Sequence, residues 1–277
     1  MLDRIVYKDI VKRALQEDIN YIDQSSYLIE DDLMSKAYIT FKEDGVVCGL
    51  SIATECFHQI DQGLNITPLK KDGDYIQKGE DVLVIEGKAK SILKAERTAL
   101  NFIQRMCGIA TKSRSYSEIV KGKKAKVVDT RKTTPGLRPL EKYAVRVGGC
   151  YNHRYNLSDA IMIKDNHIKA LGSIENAIKK ARSIAPHTMR IEVEVDSINQ
   201  VYEALEGRVD IIMLDNMDYD SMKKAIEIIN GRAIVEASGN INLDTIEKVS
   251  TLELDVISTG DLTHSIKSLD ISLNLID

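Results

Sequence analysis

Seven Lys, Arg or His side chains fall between Asp129 and Arg154, in the stretch DTRKTTPGLRPLEKYAVRVGGCYNHR. The chain as a whole is acidic, with 38 Lys plus Arg against 42 Asp plus Glu and a formal net charge of −4. Cations gathered this closely repel one another unless an anion sits among them. Arginine suits carboxylate and phosphate because its planar fork donates two parallel hydrogen bonds. Further along lie Lys164, the carboxylates Glu194 and Asp215, and the small-residue pairs Ser238-Gly239 and Thr259-Gly260. Small residues let backbone N–H groups approach a phosphate. The two carboxylates suit a hydroxylated sugar, a Mg²⁺ ion, or both. Taken together, these types point to a substrate that carries several carboxylates and phosphates.

Such residues can act together only if the fold brings them to one place, and the second part of the chain has the pattern to do so. Six short runs rich in Val, Ile, Ala and Leu each end in a polar cluster: AKVVDTRKT, AIMIKDNH, RIEVEVDS, VDIIMLDN, RAIVEASG and LDVISTG. Buried parallel strands with functional groups at their C-terminal ends are the pattern of a β/α barrel. That geometry aims Arg131, Lys132, Lys164, Glu194, Asp215, Ser238-Gly239 and Thr259-Gly260 at one mouth. The stretch is too short for eight ordinary βα units, so an incomplete barrel of six to seven strands is expected. A doubly wound open sheet is the alternative, but no Gly-x-Gly-x-x-Gly follows the first strand.

The first part, up to about residue 110, reads differently. AYITFKEDGVVCGL and ITPLKKDGDYIQKGEDVLVIEGKAKSIL look like short β-segments, with Glu-Asp-Gly, Lys-Asp-Gly-Asp, Gly79 and Gly87 as turns. In LKAERTALNFIQRMCGIAT, Ala95, Ala99, Phe102, Ile103 and Met106 share one helical stripe, opposite Arg97, Asn101 and Gln104. The expected organisation is therefore an N-terminal α/β, barrel-sandwich-like domain over 1–110, then an incomplete β/α barrel over 111–277. The last dozen or so residues are expected to return to the first domain.

Composition narrows the function classes. No apolar run reaches the roughly 18 residues of a membrane helix, and the N-terminus lacks the apolar segment of a signal peptide. The four cysteines, Cys48, Cys56, Cys107 and Cys150, form no Cys-x-x-Cys pair, which suits a reducing cytoplasm rather than a zinc ribbon or disulfide framework. With three Phe and no Trp in an acidic chain, no stacking platform for nucleic acid is expected.

The run from Asp129 to Ile168, with ERTALNF, EVEVDS, IMLDNM, EASGNI and STGDLTHS in the same order, closely resembles the quinolinate phosphoribosyltransferase family over essentially the whole chain. The resemblance implies a transferase that joins quinolinate to phosphoribosyl pyrophosphate in NAD synthesis. Its products would be nicotinate mononucleotide, pyrophosphate and CO₂. It implies a homodimer or larger assembly whose active site is completed across the interface, with Arg97 supplied by the neighbouring subunit. Thr130, Arg131, Lys132, His153, Arg154 and Lys164 are then expected to bind quinolinate and phosphate, with Lys132 and Lys164 among the catalytic groups. Glu194 and Asp215 would lie near the ribose and Mg²⁺. Ser238, Gly239, Asn240, Thr259, Gly260 and Asp261 would form the phosphate cradle, with His264 just beyond it. Two positions depart from the family pattern: Cys150 stands where a third glycine is usual, and Asp261 where Ala is common.

Four other readings compete with this one, and the first is non-enzymatic: the β-segments of the first part resemble biotin- or lipoyl-carrier modules, without a convincing modified-lysine hairpin tip. A non-decarboxylating relative on the same barrel would take a different acid. A Schiff-base aldolase would use Lys164 as nucleophile. Zinc held by His153, His167 and His264 would need a matching carboxylate cluster.

Overall fold

A computed structural model describes residues 2–276. In chain order the first elements are α1 (Arg4–Asp18), β1 (Met34–Phe41), β2 (Gly45–Val46), α2 (Leu50–Ile60), β3 (Asn65–Pro68), β4 (Tyr75–Ile76), β5 (Asp81–Lys88) and α3 (Ala89–Ile119). Then come β6 (Lys126–Val128), α4 (Arg138–Val147), β7 (Ile161–Ile163), α5 (Asp165–Leu171), α6 (Ile174–Ile184), β8 (Ile191–Val195), α7 (Ile198–Glu206) and β9 (Ile211–Asp215). The chain ends with α8 (Tyr219–Ile229), β10 (Ile234–Ser238), α9 (Leu243–Val249), β11 (Val256–Ser258), α10 (Asp261–His264) and β12 (Ile271–Ile276).

The chain divides into two compact units. The first holds the residues up to Arg114, then Thr133–Gly149, then those from Leu262 on; the second holds Ser115–Lys132 and Cys150–Asp261. In the first unit β12, β1, β5 and β3 form an antiparallel sheet in that order, so the last strand pairs with the first. On α3 the stripe Ala95, Ala99, Phe102, Ile103 and Met106 is buried, while Arg97 is exposed. Gly87, expected at a turn, instead lies inside β5 with φ 148°, and a Cβ there would come within 2.6 Å of Leu64. The segment Thr133–Gly149, placed with the barrel by the sequence pattern, is joined to the first unit by side chains. The Tyr143 hydroxyl donates to Asp72 at 2.8 Å, and Arg105 donates to both the buried Glu141 and Thr134.

In the second unit all six apolar runs form strands, paired in parallel in the order β6-β11-β10-β9-β8-β7. This is the cyclic order of a β/α barrel opened between its first two strands, not the central reversal of a doubly wound sheet. At the open edge Tyr151 makes a single parallel bridge to Val128 on β6, so a seventh position around the ring is one residue long. Ile191, Val193, Ile212, Leu214, Val235, Ala237 and Ile257 are all buried, as strands covered on both faces require. Helices α6 and α8 start where Ser173 and Asp218 accept hydrogen bonds from Asn176 and Ser221 N–H. These caps set the short turns that keep the polar tips close to the strand ends.

Candidate active site

Strand β8 reads Ile-Glu-Val-Glu-Val, and its alternation places Glu192 and Glu194 on one face, one level apart. Strand β10 does the same with Glu236 and Ser238. The upper level of this face is the expected one. Glu194, at the tip of β8, pairs through Oε2 with Lys164 Nζ, which follows the neighbouring strand β7. The turn after β7 is closed by His167, whose Nδ1 accepts from the Lys164 N–H at 3.0 Å. His167 is thus a turn-closing residue.

Asp215 ends β9 and is the register partner of Ser238 on β10. Beyond these two residues the loops interlock. The Asn216 N–H donates to Ser238 O at 3.0 Å, and the Asn240 side-chain amide donates to Asn216 Oδ1 at 3.0 Å. Asn216, Gly239 and Asn240 all have positive φ, at 54°, 90° and 51°. Asparagine tolerates this region and glycine adopts it freely. Asn216, Ser238, Gly239 and Asn240 open on a cavity of about 330 Å³ that also meets Lys248. Thr259 supports the same loops from β11: its hydroxyl donates to Ile241 O at 2.6 Å and accepts from the Asp261 N–H at 3.1 Å. The Asp261 carboxylate accepts from the buried Tyr116 hydroxyl at 2.6 Å. Burial, with that carboxylate next, pushes the Tyr116 phenol well up.

The cations stand at the other strand ends. Arg131 and Lys132 are exposed on the turn after β6, where the Lys132 N–H donates to the Thr130 hydroxyl. Burial, and then the charge of Arg131, draw the Arg154 guanidinium down from its usual range. Arg154 also donates to Ala160 O at 3.0 Å. Cys150 is buried and its thiol is pushed up to about 12 by desolvation. The left-handed turn before it falls on Gly149, φ 98°, so position 150 itself needs no glycine. Arg97 and His264 lie in the first unit, both exposed.

A lower level of the second unit joins the expected His153 to three acids that were not among the expected site residues. His153 Nε2 lies 3.5 Å from Glu192 and 3.4 Å from Glu236, two carboxylates only 1–3% exposed. Its other nitrogen, Nδ1, accepts from the Arg154 N–H at 2.7 Å. Burial opposes a charge on the ring, but the two carboxylates outweigh it and push its pKa up to about 10. These features pull differently: the Nδ1 contact describes a ring with one proton, on Nε2, whereas the carboxylates favour two. His153, Glu192 and Glu236 bring three potential ligand atoms within 4.8 Å of one another, and neither His167 nor His264 belongs to this group. Burial also pushes Glu192 above the usual carboxylate range, which His153 counters and Glu236 reinforces. Asp129, fully buried after β6, accepts from the His153 N–H at 2.9 Å and from the Asn152 side chain at 2.6 Å. The signal for these acids was present as charged residues sunk in apolar strand runs, in phase with the polar tips.

The fold and these strand tips define a β/α-barrel protein with cations and carboxylates gathered at the C-terminal ends of its strands, where barrel enzymes carry their sites. Comparison with known proteins narrows the class. The quinolinate phosphoribosyl transferase N-terminal and C-terminal domain families match residues 11–107 and 109–274. A probable nicotinate-nucleotide pyrophosphorylase [carboxylating] of Bacillus subtilis is 42% identical over 274 residues, covering 99% of this chain and 95% of its own length. The corresponding protein of Mycobacterium leprae is 37% identical, with 97% and 96% covered. The crystal structure of NadC from Streptococcus pyogenes superposes with a TM-score of 0.95 at 46% identity, covering 100% of this chain and 99% of that one. The chain belongs to the quinolinate phosphoribosyltransferase family.

Proposed function

We propose that the strand tips of the second unit carry out phosphoribosyl transfer from phosphoribosyl pyrophosphate to quinolinate, with decarboxylation, through the residues named above. The quinolinate nitrogen forms a bond to ribose C1 as the bond to pyrophosphate breaks, its electron pair leaving with the pyrophosphate. The alkylated ring nitrogen is then positive and accepts the electrons released when the adjacent carboxylate leaves as CO₂. A proton takes the vacated carbon, giving nicotinate mononucleotide.

Each step has a candidate residue. Arg131 and Arg154, with Lys132, Lys164 and Thr130, hold the two carboxylates and the pyrophosphate. Orientation of this kind is worth up to about 7–11 kcal/mol in favourable systems. Glu194 and Asp215 face the electron-poor ribose, where fixed negative charge stabilises the transition state. Ser238, Gly239, Asn240, Thr259 and Gly260 receive the 5′-phosphate on backbone N–H groups. Asp261 is better suited to holding Tyr116 than to meeting a phosphate of its own sign. The observation that carries the reading is the interlocked pair of turns after β9 and β10, where Asp215 and Ser238 are register partners.

Hard carboxylate oxygens with room for substrate oxygens are what Mg²⁺ takes, and Glu194 and Asp215, half-buried at adjoining tips, fit it. When bound there, Mg²⁺ would supply positive charge where the pyrophosphate leaves. A homodimer or larger assembly is supported by the first unit's exposed apolar side chains, among them Tyr21, Tyr27, Leu28 and Met34. Arg97, exposed on α3, would reach the site from the neighbouring subunit. No described helix is long and apolar enough to cross a membrane. None of the four buried cysteines is in a disulfide, which supports a cytoplasmic setting.

The test is incubation with Mg²⁺, phosphoribosyl pyrophosphate and quinolinate labelled in its 2-carboxylate, with nicotinate in parallel. Equal amounts of labelled CO₂ and mononucleotide from quinolinate alone are expected. Mononucleotide from nicotinate instead would overturn the assignment of the acid substrate.

A further inference from the structure

We infer that Asp129, Glu192 and Glu236 are positioning residues that moor the segment Asn152-His153-Arg154 and so set recognition of the acid substrate. The inference rests on the reading of Arg154 as a quinolinate-binding cation.

The three acids come from the ends or interiors of β6, β8 and β10, which are the first, fifth and third strands across the sheet. Alternate strands of a barrel fill one interior layer, so this spacing brings the acids to a common region. Each then takes part of the same three-residue segment. Asp129 holds the His153 N–H and the Asn152 side chain; Glu192 and Glu236 flank His153 Nε2; His153 Nδ1 in turn takes the Arg154 N–H. The backbone of Arg154 is therefore fixed from below by a chain of contacts that starts on buried carboxylates. Glu192 and Glu236 are costly to bury: among the described residues Glu192 Oε1 has no hydrogen-bond partner, and Glu236 Oε1 has only the 3.4 Å ion-pair contact to His153 Nε2. Stability alone gives little reason to keep two acids against one ring, because with either replaced by an apolar residue the other still pairs with His153. Sunk below the tips, they leave the substrate's space open while setting the direction of the ring and of the arginine above it.

The test separates stability from recognition. Glu236→Leu is expected to leave the thermal midpoint unchanged or higher and to raise KM for quinolinate at least tenfold. KM for phosphoribosyl pyrophosphate should stay within about twofold. Glu236→Gln retains an oxygen that can accept from Nε2–H, so its rise is expected to be about threefold and again confined to quinolinate. This variant carries the same test if the leucine variant does not fold. Binding of phthalate, which has the two neighbouring carboxylates but no ring nitrogen, should weaken in parallel when titrated calorimetrically. Unchanged quinolinate KM in folded variants, or an equal rise for both substrates, overturns the positioning role. A wild-type protein that neither turns over quinolinate nor binds phthalate would overturn the functional reading beneath it.

Discussion

Replacing Gly239 by alanine tests whether the turns after β9 and β10 hold the phosphate end of the substrate. Gly239 has φ 90°, and a Cβ there would lie 2.2 Å from Asn216 Oδ1 and 2.8 Å from Asn216 N. An L-residue in left-handed geometry costs about 1–2 kcal/mol. Forcing extra volume into a packed site costs about 1–3 kcal/mol more. The Asn216 side chain can swing away only by giving up the bond from Asn240, and its backbone N–H is already committed to Ser238 O. The displacement must therefore pass into both turns. The expected result is a loss of roughly 2–5 kcal/mol. At about 2–4 °C per kcal/mol, the thermal midpoint falls by roughly 10 °C. In steady-state assays below that midpoint, KM for phosphoribosyl pyrophosphate should rise at least tenfold while KM for quinolinate changes little. If the alanine variant is destabilised as calculated but keeps its phosphoribosyl pyrophosphate KM, the turns are structural and the phosphate lies elsewhere.

Three other outcomes follow from the geometry. Glu194→Gln removes the charge proposed to face the ribose and should lower kcat by about 10²–10³, the usual effect of losing one aimed electrostatic group, with both KM values nearly kept in steady-state kinetics. Arg105→Ala leaves the Glu141 carboxylate, 1% exposed, without its cation and should cost about 3–5 kcal/mol in chemical denaturation. Glu55 is held below its ordinary value of 4.5: burial alone would raise it, but Arg4 and Gln59 outweigh that. A depressed carboxylate stabilises the fold above its unfolded pKa and loses that contribution as pH falls through the folded one. Thermal midpoints measured from pH 6 to 3 should therefore drop below about 4.5, and less steeply in Glu55→Gln.

The barrel was legible in the sequence because its strands are covered on both faces, so each is an unbroken run of β-branched and apolar residues that stops at a polar tip. The order of those tips was legible for the same reason. Two things were not. The turn and helix over Thr133–Gly149 follow a barrel strand in the chain but fold with the first unit, through Arg105–Glu141 and Asp72–Tyr143. Both contacts join residues far apart in the chain, and no local pattern announces them. Glu192 and Glu236 were visible as letters but hidden by their setting, since an acid inside an apolar run reads as part of the strand. Period two was the available clue: each sits two residues before a tip already marked as functional, and hence on the same face.

On the proposed assignment, the two ends of the site are held by different physical means, and the difference follows from what each would bind. A phosphate is met by backbone N–H groups, so the constraint falls on main-chain conformation, and residues 216, 239 and 240 are the glycine and asparagines that tolerate positive φ. A planar dicarboxylate is met by arginine forks, whose direction depends on long side chains that backbone conformation alone cannot fix. Arg154 lies on the loop between Tyr151 and β7, where no continuous strand supports it. Buried acids from the facing strands supply the missing support. On the inferred mooring role, the opening of the barrel between β6 and β7 gives a reason to bury charge in this interior: the strand position before Arg154 is reduced to one residue.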